Sequence, residues 1–507
     1  MIDFPAVQSA LALLATAESS WLLLIPGLLI GLVFGAMPGV SVSMAMALFL
    51  PLTLYMDFLP AIIFLTAIYT GAGFGGSVPA VLMNIPGTSS AVATTFDGYP
   101  MARQGRHNEA LGVALAASVI GTLGSYVLLF VLIAPISEVV LRIGPLEMSA
   151  IAIWGLLLLG SLGGRYVTRG LLAGTFGVLL GTVGMNTAGY IRGTMGIPWL
   201  LDGIPTVPAM IGLLAASQLF NLINAKYLVE AEENRGISLA KILQGLRDAL
   251  RYPTVIVRGS LIGVFVGAIP GVGSSISNLL SYAETKRNAE DADTFGTGNP
   301  KGVIAAESAN SSSEGGSMAT MLALGIPGGG ATAILLAAFA MHNIVGGPTF
   351  IDQNKNLVYA IIFMNFAQAV LLLVIGLGFV FVASSIVRVP LRYLIPSVLV
   401  VAALGSFALD GTAAGPITLF VFALIGWAMA RYEYPVAAVV VGLLLGSLVE
   451  TQLLRSYQLS GGNPFYVFER PGAVAIICLM ILSLGLTAWT KRRRKRRSLL
   501  TEATVDD

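Results

Sequence analysis

The sequence predicts an all-α polytopic membrane protein of two inverted-topology repeats with broken or re-entrant Pro-Gly helices, plus one C-terminal transmembrane helix. Three observations lead there: composition, a polar motif written twice, and the placement of Lys and Arg. Of 507 residues, 56% are hydrophobic and 11% charged, more apolar surface than a soluble globule can hide. Runs such as 110–135 and 357–387 can cross a hydrocarbon core of roughly 30 Å, which takes about 20 helical residues. A transmembrane β-barrel would instead show short alternating segments. Cys478 is the only cysteine, which excludes an intrachain disulfide and a thiolate metal site.

The motif first appears as Gly31, Gly35, Pro38 and Gly39, then Gly75, Gly76 and Ser77, then Asn84, Pro86, Gly87, Thr88, Ser89 and Ser90. It returns as Gly263, Gly267, Pro270 and Gly271, then Gly315, Gly316 and Ser317, then Gly325, Pro327, Gly328 and Gly329. The shift is 263 − 31 = 232 for the first block and 327 − 86 = 241 for the last. The hydrophilic stretch 284–301 absorbs the difference. Further on, Leu159, Gly160 and Ser161 match Leu404, Gly405 and Ser406, and Gly212 to Ser217 matches Gly442 to Ser447. A collinear series of this kind marks an internal duplication.

In chain order, 1–20 reads as an extracytoplasmic lead-in, since its apolar run lacks the Lys or Arg of a secretory signal. Residues 21–225 form the first transmembrane repeat. Residues 226–258 form a cytoplasmic amphipathic linker, basic enough to lie inside, with Leu239, Leu243, Leu246 and Leu250 on one helical face and Ser238 as N-cap. Residues 259–456 are the second repeat, 457–490 a periplasmic loop and final transmembrane helix, and 491–507 a basic cytoplasmic tail that anchors the last span. With linker and tail both inside, the second half runs from inside to outside and the first from outside to inside. The halves are therefore expected to be inverted.

Proline and glycine break helices and bare backbone N–H and C=O groups, which are tolerated at membrane depth only where they are buried in protein or line a cavity. Duplicated breaks point to a transporter's substrate site. Pro38, Gly39, Asn84, Pro86, Gly87, Pro270, Gly271, Pro327, Gly328 and Gly329 are the expected backbone of that site. Thr88, Ser89, Ser90, Ser274, Ser275, Asn310 and Ser312 are its uncharged donors, and exposed helix N-termini add a partial positive charge suited to carboxylates. Helix packing accounts for any single hydroxyl, but not for the doubled constellation. Asp97, Glu307 and Glu314 are the coupling-ion candidates, because an ionisable group near membrane depth is costly. For Asp97 a second reading, as the brace of its own loop, is preferred.

On Gly75 to Ser77, Asn84 to Gly87, Asp97 to Arg103, Glu307 to Asn310 and Gly315 to Gly328, the chain resembles the large membrane subunit of the tripartite tricarboxylate transporters, the TctA family. It departs at Ser311 to Glu314, where that family more often has small residues and asparagine. The resemblance implies a multi-pass bacterial inner-membrane importer with its C-terminus cytoplasmic. It also implies a small four-helix membrane subunit, a periplasmic solute-binding protein, and a small organic anion as substrate: citrate-like tricarboxylates, dicarboxylates or aromatic acids. Uptake would be driven by a Na⁺ or H⁺ gradient, without cofactor, metal or nucleic acid, in keeping with the lack of a phosphate-binding loop motif. A re-entrant-loop channel and an intramembrane enzyme remain the alternatives. The sequence has two histidines and neither a His-Glu-x-x-His nor a Gly-x-Ser-x-Gly motif.

Overall fold

The computed structural model describes residues 3–37, 40–84, 86–140, 144–158, 167–186, 189–217, 220, 237–269, 273–386, 399–400, 403–404, 406–407, 412–463 and 465–482. The expectations for Pro38, Gly39, Pro270, Gly271, the match of 159–161, the linker's 226–236 and the tail 491–507 lie outside the described residues. Among the described residues, regular structure is helical apart from one hairpin, β1 (Gly184–Met185) antiparallel to β2 (Ile191–Arg192). Six helices among the described residues are long and apolar enough to cross a membrane, seven if the bent pair Leu239–Ala249 and Pro253–Gly267 forms one span. The protein is thus an all-α polytopic membrane protein.

Helix α1 (Phe4–Thr16) is capped by Asp3, whose Oδ1 accepts from the Ala6 amide at 3.2 Å. It precedes α2 (Glu18–Gly35), α3 (Val42–Phe49), α4 (Phe58–Gly75) and α5 (Ser77–Met83). Gly27, Gly31 and Gly35 line one face of α2, so close to α4 that a methyl group on them would overlap the carbonyl oxygens of Phe64, Ile68 and Ala72. The second half repeats this contact. On α12 (Pro253–Gly267), Gly259, Gly263 and Gly267 meet the backbone of Ala305, Ala309 and Ser313 on α14 (Pro300–Leu324). Both partners are displaced by the motif's own shifts, 263 − 31 = 232 and 309 − 68 = 241. Small residues let helix backbones approach at this distance.

The remaining described helices are α6 (Val92–Arg103), α7 (His107–Val140), α8 (Pro145–Leu158), α9 (Val167–Gly181), α10 (Thr206–Ile211), α11 (Leu239–Ala249), α13 (Gly273–Asn288), α15 (Gly330–Met341), α16 (Pro348–Gln353), α17 (Lys355–Ile386), α18 (Ala414–Arg431), α19 (Val436–Leu459), the short α20 (Tyr466–Glu469) and α21 (Pro471–Leu482), the described part of the expected C-terminal transmembrane helix. Apart from α20 and α21, the helices fall into two groups. Helices α1 to α7 pack with α11 to α17, whereas α8, α9, α10, α18 and α19 pack with one another. Contact between the groups runs mainly through α3 and α15, which touch α10, the π-helical turn Gly212–Ala216 and α19. In the second group, too, contacts are exchanged between halves. A methyl group on Gly212 would strike the Leu419 carbonyl of α18, and one on Gly442 of α19 would strike the Gly174 carbonyl of α9.

Helix α11 forms where the leucine spacing places it, but it docks differently. Ile242, Gly245 and Ala249 are its buried residues, and Gly245 abuts the Glu109 carbonyl at the start of α7. Leu239 and Leu250 stay 46% and 60% exposed. The face of Ile242, Gly245 and Ala249 grips the protein, Leu246 packs at its edge, and Leu239, Leu243 and Leu250 turn outward. Ser238 holds the N-cap position, but its side chain makes no capping bond; its amide donates instead to Asn108 Oδ1 at 3.1 Å.

Candidate functional site

The breaks begin with the way two helices end. Helix α5 stops at Asn84 (φ 59°) and α14 stops at Gly325 (φ 68°), both left-handed C-caps, and 325 − 84 = 241 is again the motif's shift. Asparagine tolerates this conformation better than most side chains, and glycine adopts it freely. Immediately after, Gly87 donates its amide to the Gly76 carbonyl at 3.1 Å, and a methyl group there would overlap the Gly35 carbonyl. Gly328 is held likewise between the Gly267 carbonyl and Ser317, whose hydroxyl donates to that carbonyl at 2.9 Å.

Each break then meets the opposite half. The Asn278 amide of α13 donates to the Ser90 carbonyl, and Gly330, opening α15, lies against the Ser43 side chain of α3. The segment following the first break of one half thus touches the second break of the other, twice. Thr88 and Ser90 are buried with their hydroxyls 3.0 Å apart, and Ser89 is exposed. No side chain caps the 3-10 turn Ser89–Ala91 or the helix α6 that follows it.

Not every expected donor faces the breaks. The Ser312 hydroxyl packs on Gly263 between α12 and α14. Asn310 donates to the Gly73 carbonyl of α4 at 3.1 Å. Ser274 uses its carbonyl to accept from Ser277 at 2.9 Å, and the Ser275 side chain is outside what is described. Pro86 and Pro327 sit within the two breaks, beside Gly87 and Gly328.

Glu307 and Glu314 are two turns apart on α14, 0% and 2% exposed. Glu307 accepts from Thr94 of α6 and, at 3.1 Å, from Ser118 of α7. Glu314 Oε1 accepts from Thr70 of α4 and Tyr126 of α7, each at 2.8 Å. Gln368 of α17 joins them: its amide oxygen lies 3.2 Å from the Thr70 hydroxyl and its nitrogen donates to Thr66 at 2.9 Å. The sequence reading did not assemble this ring, although Ser118, Tyr126 and Gln368 are polar interruptions of strongly apolar helices and could have been flagged as such.

Asp97 works as a brace. Its Oδ1 accepts from the amides of Gly296 (2.8 Å), Gly298 (2.9 Å) and Asn299 (2.8 Å), and its Oδ2 from the Tyr282 hydroxyl (2.9 Å). This one carboxylate ties α6, α13 and the loop entering α14; residues 97–100, expected as a turn that Asp97 braces, are instead part of helix α6, and the loop it holds is a distant one. The same loop carries an ion pair of Asp291 with Lys301 at 2.9 Å. The Lys301 ammonium beside it holds the Asp291 carboxyl below its ordinary value.

No solved structure matches this chain. It is 29% identical over 480 residues, 94% of each protein, to an uncharacterised 52.8 kDa protein in the TAR-I ttuC' 3' region of Agrobacterium vitis. It is also 27% identical over 240 residues to an uncharacterised protein in the TAR-II ttuC' 3' region of the same organism, 47% of this chain and 99% of that one. Residues 21–441 match the profile of the tripartite tricarboxylate transporter TctA family. The breaks, the paired helix crossings and this match across most of the chain lead to one assignment: the protein belongs to the TctA family of tripartite tricarboxylate transporters.

Proposed function

We propose that this chain is the permease of a binding-protein-dependent importer of carboxylates across the bacterial inner membrane, driven by an ion gradient. It would work with a small four-helix membrane subunit and a periplasmic solute-binding protein. The observation that carries the proposal is the reciprocal pairing of breaks, Ser90 with Asn278 and Ser43 with Gly330. It gathers interrupted backbone, hydroxyls and an uncapped helix start from both halves, donors suited to a small anion and found at substrate sites between transporter repeats.

The halves are read as inverted repeats. Arg103, Arg106, Arg169, Lys286, Arg287 and Lys301 fall at one set of helix ends and are taken as cytoplasmic. The opposite ends hold the ion pairs Asp3 with Lys355 (3.2 Å), Glu147 with Arg470 (2.9 Å) and Arg192 with Glu450 (2.6 Å). On this assignment α2 and α3 form a hairpin entering from outside, α12 and α13 one entering from inside. The helix group α1 to α7 with α11 to α17 carries the substrate, and the group α8 to α10 with α18 and α19 forms the scaffold. Alternating access then arises from movement of the first against the second, with α3 and α15 as the sliding contact.

Replacing both Thr88 and Ser89 by alanine is expected to weaken apparent carboxylate affinity at least about tenfold, the value of one hydrogen bond to a charged group. Thermal unfolding of the purified variant controls for folding. Unchanged affinity and uptake would put the anion elsewhere.

A further inference from the structure

We propose that the coupled ion is a proton and that the Glu314 carboxyl binds it; this rests on the importer reading above. Around Glu314 the elements of the bundle present Tyr69 and Thr70 from α4, Tyr126 from α7 and Gln368 from α17, with Glu307 two turns away on its own helix. Apart from Glu307 these are neutral hydroxyls and an amide. Among the described residues no Lys, Arg or His forms an ion pair with either acid. A carboxylate kept permanently charged at such a place, without a counter-ion, is costly. A carboxyl that gains and loses a proton avoids that state for part of the cycle.

Oxygen geometry favours the proton over a metal cation. A hard cation needs several oxygens turned toward it, whereas the Tyr126 hydroxyl donates to Oε1 and the Thr70 hydroxyl, with its one hydrogen, lies between Oε1 and the Gln368 amide oxygen. The side-chain amides of the ring have other partners: Asn310 the Gly73 carbonyl and Glu307, and the Gln368 nitrogen Thr66 and the Ile63 carbonyl. The Thr70 and Tyr126 hydroxyls both meet Glu314 at Oε1, which leaves Oε2 as the atom to be protonated.

The fold does not require an acid here. By the shift of 241, Glu314 corresponds to Gly73 and Glu307 to Thr66, since 314 − 73 = 241 and 307 − 66 = 241. The first half builds the same helix crossing with no charge. The acids are an addition to one half, on a file of polar residues along one face of α14: Glu307, Asn310, Glu314 and Ser317. The proton is taken up on Glu314 and returned to water on the far side after the substrate group has moved, with Glu307 and its Ser118 and Thr94 partners along the route.

Protons alone can serve as the probe. Infrared difference spectra of the purified full chain between acidic and alkaline buffer should contain a carboxyl carbonyl band that Glu314→Gln deletes, Glu314→Asp displaces and Glu307→Gln retains. A difference spectrum unaffected by Glu314→Gln would overturn the proposal, and so would its loss in Glu307→Gln alone. Melting temperatures of the variants establish that they are folded, and the aspartate variant gives a folded comparison if glutamine fails. In proteoliposomes, an imposed pH gradient should drive accumulation that Glu314→Gln abolishes. Accumulation driven by a Na⁺ gradient alone would refute the proton and leave the importer standing. No saturable uptake under either gradient would refute the importer whatever the infrared band does.

Discussion

Asp97 illustrates how a membrane protein can use an acid for architecture. Its carboxylate takes three backbone amides and a tyrosine hydroxyl, so Asp97→Ala strands several donors at once. The expected loss is about 3 kcal/mol, on the order of one charged hydrogen bond plus unsatisfied buried groups, with Asp97→Asn losing less. Thermal unfolding in detergent and amide exchange at 296–299 measure both; an alanine variant as stable as the parent would refute the brace. The neighbouring Asp291 adds a pH dependence. Because Lys301 lowers its folded-state value, the pair's contribution is present above the ordinary aspartate value of about 3.9 and is lost as pH falls through the lower folded one. Exchange protection of this loop should therefore hold from neutral pH down to about 4 and decline below it. The effect is modest, since the pair is partly exposed. Turn chemistry in the sequence suggested that Asp97 braces its own loop, but residues 97–100 are helical and the loop it does brace lies about 200 residues away, a distance that local pattern cannot bridge.

Among elements, the glycine-lined crossings set what can be changed. Gly31→Ala and Gly263→Ala each push a methyl group into an opposing carbonyl and should cost about 1–3 kcal/mol by overpacking. Gly73→Ala, on the same α4, meets nothing within 4 Å and should be neutral or stabilising by up to about 1 kcal/mol. Melting temperatures of the three variants test the pairing, and equal tolerance at Gly31 and Gly73 would contradict it. The motif spacing made these crossings traceable from the sequence, because each glycine of α2 returns at 232 and each partner at 241. The ring around Glu314 was not traceable, since Thr70, Tyr126 and Gln368 come from three helices whose relative rotation no single-helix pattern specifies. Helix α11 is intermediate: its leucine stripe was readable, but the Gly245 face that docks it was not.

For the whole molecule, the sidedness of the halves and the direction of transport stand together. With Cys478 replaced, a cysteine at Thr194, in the loop after β2, should react with an impermeant maleimide added to intact cells. One at Asn288, at the end of α13, should react only after permeabilisation; labelling of both from the same side would break the inverted arrangement. Two halves were legible in the sequence from charge and motif, whereas the division into two helix groups came only from which helices pack together. The most direct measurement is uptake of labelled carboxylates into proteoliposomes holding this chain and the proposed small membrane subunit, with and without the proposed binding protein and an imposed gradient. Saturable accumulation that requires both binding protein and gradient is the predicted result; passive flux independent of either would mean a channel and would contradict the account.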